Sequence, residues 1–336
     1  MFRLCCGAVL GTLLSISASW AESLGIYTHR QPFLLAPILE AYTEKTGVEF
    51  KTVYAPKGLA QRLKAEGDRT QADLVLTVDI SRITELADTG LLAPIASPVL
   101  NKQVPAHLRD ADDRWTALSL RARIIAVSKE RVGRQAITTI EDLATPKWKG
   151  RICTRKGSHV YNRALLASLI AHHGEDEARN WTSGLIENLA RRPQGNDRAQ
   201  AKAIYSGECD VALMNTYYFG KMKFSEDQPE QKQWADAIEL AFFNQQDRGQ
   251  HVNISAAGIT KGSKHKELAR GFLEWLTSEE AQRIYTEVNF EYPVNQAAEV
   301  SAEVASWGSF KMDELPMNII SENSLLAQRI INETGW

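Results

Sequence analysis

Short apolar runs and stretches of helical spacing follow one another along the chain, and this alternation of periods is the pattern of layered α/β structure. Leu24 to Tyr27 predicts a first strand. Leu34, Leu35, Ile38, Leu39 and Tyr42 recur at helical spacing and stop at Gly47, which takes the left-handed conformation that ends a helix at little cost. Val48 to Tyr54 reads as a second strand, and Gly58 to Glu66 as a helix closed by Gly67. The nearly continuous apolar run from Ala72 to Val78 suits a parallel strand covered on both faces. Trp115 to Leu118 and Arg123 to Val127 predict a pair of strands. After the breakers of Pro146 to Gly150, a second series of strands and helices begins at Arg151. Near the end, Leu268, Phe272, Trp275 and Leu276 form an amphipathic stripe, and Phe290 to Val294 leads into a helical tail. No repeat or low-complexity linker separates the two series. The pattern therefore predicts two α/β lobes joined by crossing strands, with a cleft between them.

Composition narrows the partners. The 336 residues are 44% hydrophobic and 24% charged, as in an ordinary globular chain, and they are too many for one compact core. Lys+Arg 39 against Asp+Glu 41 gives a net charge of -2, which leaves no basic excess to hold nucleic acid or an anionic membrane. At the amino terminus Arg3, the apolar run Leu4 to Ile16 and the small-residue stretch Ser17 to Ala21 make a secretory signal, expected to be cleaved after Ala21. No other window reaches the roughly 18 apolar residues needed to cross a bilayer. A periplasmic monomer is the expectation. Cys5 and Cys6 would leave with the signal, so Cys153 and Cys209 remain.

The chemistry is concentrated in the second series, where one layout occurs twice. A strand at Arg151 to Thr154 is followed by a polar turn and by Tyr161 in the first turn of a helix from His159 to His172. A strand at Cys209 to Met214 is followed by Asn215-Thr216 and by Tyr217-Tyr218 entering another helix. In an open sheet these are crevice positions, at the carboxyl ends of strands and the amino termini of helices. Helix amino termini favour negative charge, so these phenols are expected to ionise more readily than most. A phenol with a pKa near 10 keeps its proton at neutral pH unless a strongly charged cation displaces it. Three phenolates match the charge and hardness of ferric iron, whereas zinc prefers Cys and His.

Four segments carry a specific resemblance: Arg192-Pro193-Gln194-Gly195-Asn196-Asp197, Asn215 to Gly220, Asp142-Leu143 through Arg151, and His251-Val252-Asn253. They resemble periplasmic iron-binding proteins of ABC-type ferric-ion transporters. The resemblance implies a type II two-lobed periplasmic-binding-protein fold, with ferric ion in the interlobe cleft and delivery to an ABC permease and its ATPase. It implies an amino-terminal lobe of residues 22–119 plus about 244–294, and a carboxyl-terminal lobe of about 120–243 plus 295–336. The family's tyrosine ligands fall on Tyr161, Tyr217 and Tyr218, its cleft arginine falls on Arg121, and a basic residue found in some members falls on Lys221. Arg121 and Lys221 would balance phenolate charge or hold a synergistic anion such as carbonate.

The chain departs from the family after the first strand. Members with a fourth protein ligand show His then Tyr there, but Gln31 and Pro32 occupy those positions here. Carbonate or water is expected to complete the shell, contacted by Arg30 and Gln31, with His29 as a further candidate ligand. Cys153 and Cys209 are either a disulfide or two buried thiols. His172-His173-Gly174 reads as a helix terminus rather than a metal site. Two other readings stand beside iron: a carrier of an organic anion or iron chelate held by Arg121 and Lys221, and an exported enzyme using a tyrosine as acid or base. The enzyme reading lacks a paired base, nucleophile or phosphate-binding motif.

Overall fold

The computed structural model describes residues 22–336. The signal-segment reading falls on residues 1–21, outside the described residues. Nine strands form β1 (Ser23–Thr28), β2 (Glu49–Tyr54), β3 (Leu74–Thr77), β4 (Leu92–Ala93), β5 (Thr116–Ser128), β6 (Ile152–Cys153), β7 (Val211–Asn215), β8 (Ile238–Ala241) and β9 (Val252–Thr260). Helices interleave as α1 (Pro32–Thr46), α2 (Leu59–Glu66), α3 (Ile80–Asp88), α4 (Pro98–Gln103), α5 (Val160–His173) and α6 (Glu175–Glu187). They continue as α7 (Asp197–Tyr205), α8 (Thr216–Lys223), α9 (Glu230–Asp236), α10 (Lys266–Leu276) and α11 (Glu279–Asn289), and three short helices follow between residues 302 and 334.

The pairing is mixed. β1 runs parallel to both β2 and β3, and β6 parallel to β7, whereas β9 is antiparallel to β3, β4 and β5. The expected strand pair at residues 115–127 is instead the single strand β5, and this is a correction. All thirteen of its residues are buried, so the polar residues Ser119, Arg121 and Arg123 do not break it. Their side chains find partners inside the fold, which offsets much of the cost of burying them. Residues Thr116 to Ala122 of β5 pair with β9, then Arg123 to Val127 pair with β7 and Ile125 to Ser128 with β8. β5 thus leaves one sheet and enters the other. Beside the crossing, Leu120 and Tyr292 exchange backbone hydrogen bonds of 2.8 and 2.9 Å.

Each sheet has its own helical cover. Leu35, Ile38, Phe272 and Leu276 from α1 and α10 pack on Leu24, Ile26 and Leu74 of the first sheet. Leu165, Leu166, Leu169 and Ile204 from α5 and α7 pack on Ile124, Val211 and Leu213 of the second. The carboxyl ends of β1 and β2 in the first sheet, and of β6 and β7 in the second, supply the loops that line one cleft.

Candidate functional site in the cleft

The cleft holds a cavity of about 250 Å³ whose wall includes Tyr161, Tyr217 and Tyr218 together. Tyr161 is the second residue of α5, where the His159 side chain caps the helix by accepting the Tyr161 N–H at 3.3 Å. Tyr217 and Tyr218 are the second and third residues of α8, directly after β7. The Tyr161 and Tyr217 hydroxyls lie 3.3 Å apart, and the Tyr217 and Tyr218 rings stack with centroids 4.2 Å apart.

A buried charge network ties together the elements that carry these phenols. Asp197, at the start of α7, accepts Arg123 Nη1 at 2.7 Å, Arg155 Nη1 at 3.0 Å and the Asn215 backbone N–H at 2.8 Å. Arg123 also donates to Asn162 Oδ1 at 2.6 Å, which ties α5 to the same carboxylate. The guanidiniums of Arg155, Arg121 and Arg123 lie 5.4, 5.8 and 5.8 Å from the Tyr161 ring centroid, within cation–π reach of that ring. The turn before Tyr161 is held by Trp336, whose carbonyl accepts the Gly157 N–H at 3.0 Å. A Cβ on Gly157 would lie 2.7 Å from the Trp336 ring, so this close approach requires glycine.

The expectation that these phenols ionise readily is corrected for two of them. Burial and repulsion from the neighbouring phenols hold Tyr217 and Tyr218 well above the ordinary tyrosine value. Arg121 pulls Tyr217 down and Arg155 pulls Tyr218 down, but desolvation is the larger effect. Neither loses its proton at neutral pH without a strong cation to displace it.

The first sheet supplies the opposite wall. His29, Arg30 and Gln31 line the cavity from the loop after β1. Burial, with Arg82 adding, pushes the His29 imidazole down to about 4, so it is neutral at pH 7, and its buried Nδ1 has no hydrogen-bond partner among the described residues. The Arg30 guanidinium is already engaged: Nη2 lies 2.8 Å from Glu291 and 2.5 Å from Ser255 Oγ. Arg121 donates to the carbonyls of Val78 and Ile254, and its Nε has no partner among the described residues. Gln31 precedes α1 without capping it through its side chain, and the ring of Pro32 has no donor atom.

Lys221 is not brought to the cavity wall, contrary to its expected role. One turn beyond Tyr217 its ammonium donates to the Val288 carbonyl at 2.7 Å, one of the carbonyls left free at the end of α11, and it sits 5.6 Å from the Phe290 ring centroid. Sequence reasoning also missed three wall residues with polar or charged side chains, Tyr54, Arg82 and Glu291. A buried acid in the aromatic stretch Phe290 to Tyr292 was the one signal for Glu291; nothing in the sequence marked Tyr54 or Arg82.

Cys153 and Cys209 are joined as a disulfide, with Cα atoms 5.9 Å apart. The two cysteines are not at equivalent points of their strands: Cys153 pairs in register with Ala212, whereas Cys209 lies in the turn before β7. His172 and His173 end α5 and bond Asp313 and Glu141. Among the described residues no group of three or more His, Cys, Asp or Glu could hold a metal ion.

Two α/β sheets that share a crossing strand, and whose strand ends face a common polar cleft, define a two-lobed solute-binding protein of type II. The chain belongs to the bacterial extracellular solute-binding protein family, whose model matches residues 70–313. It is 38% identical over 316 residues to iron uptake protein A1 of Synechocystis, covering 94% of this chain and 88% of that one. It superposes on the open conformation of ferric iron-binding protein A from Mannheimia haemolytica with a TM-score of 0.88 and 42% identity, covering 94% and 99% of the two chains. A Trichodesmium protein solved with iron and citrate gives a TM-score of 0.89 and 39% identity over the same shares. These relatives are binding proteins, not enzymes.

Proposed function

We propose that this chain is an exported, monomeric solute-binding protein that captures ferric iron in its cleft through the phenolates of Tyr161, Tyr217 and Tyr218. The observation that carries the reading is the convergence of three phenols from two helix amino termini on one cavity, two of their hydroxyls 3.3 Å apart. Iron would displace three protons and be neutralised by three hard oxygen donors. The names of the relatives support iron as cargo. Loaded protein would dock on an ABC permease driven by its ATPase, after export by the signal at residues 1–21. In this reading the lobes are residues 22–119 with about 244–294, and about 120–243 with 295–336, closing as a hinge about β5 and β9.

Charge in the cavity argues for a companion anion. Arg30 is neutralised by Glu291, but among the described residues no carboxylate pairs with Arg82 or Arg121. With iron and three phenolates in place these two guanidiniums leave positive charge unbalanced, which suits carbonate or another small dianion contacted by Gln31 and Arg121. The same two arginines favour a second reading, in which an iron chelate or organic anion is the cargo.

The test is metal analysis and a visible spectrum of protein purified in air. A coloured protein with one iron per chain is expected, and Tyr217→Phe and Tyr218→Phe should each weaken colour and affinity. An unchanged spectrum in both variants refutes the phenolate assignment. Tight binding of citrate by iron-stripped protein, with no colour on adding ferric ion, would favour the second reading.

A further inference from the structure

Tyr54 is the last residue of β2, in parallel register with Thr28, the residue just before the His29 to Gln31 loop. Both strands present their carboxyl ends to the cleft, so Tyr54 stands on the first-sheet wall facing the three phenols of the second. It is 41% exposed, one of the larger apolar side chains the fold leaves open to water. β2 is an edge strand paired only with β1, and the phenol has no recorded hydrogen-bond partner among the described residues. The Tyr27 phenol, by contrast, is tied to Glu66 and Arg62, and Tyr205 to Gln233. Among the described residues no side chain bonds the Tyr54 phenol, and the space it borders is the one that would shrink if the lobes close.

Arg82 shares the cavity wall and is unpaired with any carboxylate among the described residues, so a guanidinium is at hand to offset one more phenolate. The loop that follows β1 offers only the amide of Gln31 and the imidazole of His29, since Pro32 has no donor. Among the described residues Tyr54 is the one phenol of the first sheet that lines the cavity.

We propose that Tyr54 is the first-lobe ligand of this protein: on closure its hydroxyl loses a proton and coordinates the iron as a fourth phenolate, with Arg82 balancing the added charge. The proposal rests on the iron reading above. Closure and ligation are then one event, because the donor on the far wall reaches the ion only when the lobes meet.

The experiment compares iron-loaded wild type, Tyr54→Phe and Tyr205→Phe, reading the charge-transfer band, affinity in competition with citrate, and radius of gyration by small-angle scattering. Tyr54→Phe should lose about a quarter of the band's intensity and shift its maximum to longer wavelength, since one of four phenolates is gone. Its affinity should fall at least about tenfold, and its compaction on loading should be smaller; Tyr205→Phe should match wild type. An unshifted band in Tyr54→Phe overturns the ligation even if affinity falls. Loss of colour in Tyr217→Phe at the same time leaves the iron reading standing, whereas retention of full colour in every tyrosine variant overturns both.

Discussion

Glu291 is buried against Arg30, which it meets at 2.8 Å, and it also accepts the Ser119 hydroxyl. Burial alone would raise its pKa, but Arg30, Arg121 and the hydrogen bonds from Ser119 and Arg30 outweigh burial and hold it below the ordinary glutamate value. A depressed folded-state pKa means the stabilisation is present above the unfolded value and is lost as pH falls through the folded one. Glu291→Gln would leave the Arg30 charge buried and unpaired, and should cost roughly 3 kcal/mol, read as a lower melting temperature at pH 7. The difference from wild type should narrow on acidification, because the wild-type carboxylate then takes up a proton as well. Tyr161, Tyr217 and Tyr218 could be picked out from the sequence because helix entries after strands are recognisable locally. Glu291 and Asp197 could not, because their role depends on arginines 261 and 74 positions away in the chain.

At the scale of elements, α5 and α8 present the phenols, and the strands that feed them are bound to one another. β6 and β7 share only two register pairs, so hydrogen bonding between them is slight. The Cys153–Cys209 disulfide adds a covalent tie across 56 residues. Closing a loop of that length restricts the unfolded chain by about 4 kcal/mol in the chain-entropy model. Cys153→Ser with Cys209→Ser should therefore lower stability by a few kcal/mol in urea unfolding, and thiol titration of denatured, unreduced protein lacking residues 1–21 should find no free thiol. Two reactive thiols would rule out the bond. The sequence left the two cysteines either bonded or free, and their pairing came from a register between β6 and β7 that only the fold sets. β5 was read as two strands for a related reason: its polar residues look like breaks until their buried partners on other elements are known.

For the whole molecule, the raised phenol pKa values set the direction of pH dependence. Protons and iron compete for the same oxygens, so affinity should fall as pH drops, by as much as about three powers of ten per pH unit if three protons are displaced. Competition titrations between pH 8 and pH 5 measure the slope; a pH-independent affinity would mean the phenols are not the donors. His29, His159 and His251 do not set this slope, because burial already pushes His29 down to about 4 and His159 and His251 to about 3.

The sequence by itself determined the alternation of strands and helices, the two-lobed class and the three tyrosines, because period, capping and helix entry are properties of neighbouring residues. The tertiary structure decided what lies across the cleft from them. It placed Tyr54 and Arg82 on the opposite wall, tied Arg30 to Glu291, and turned Lys221 toward the end of α11. Each of these depends on which distant segments the crossing strands bring together, and long-range pairing leaves no periodic trace in the chain.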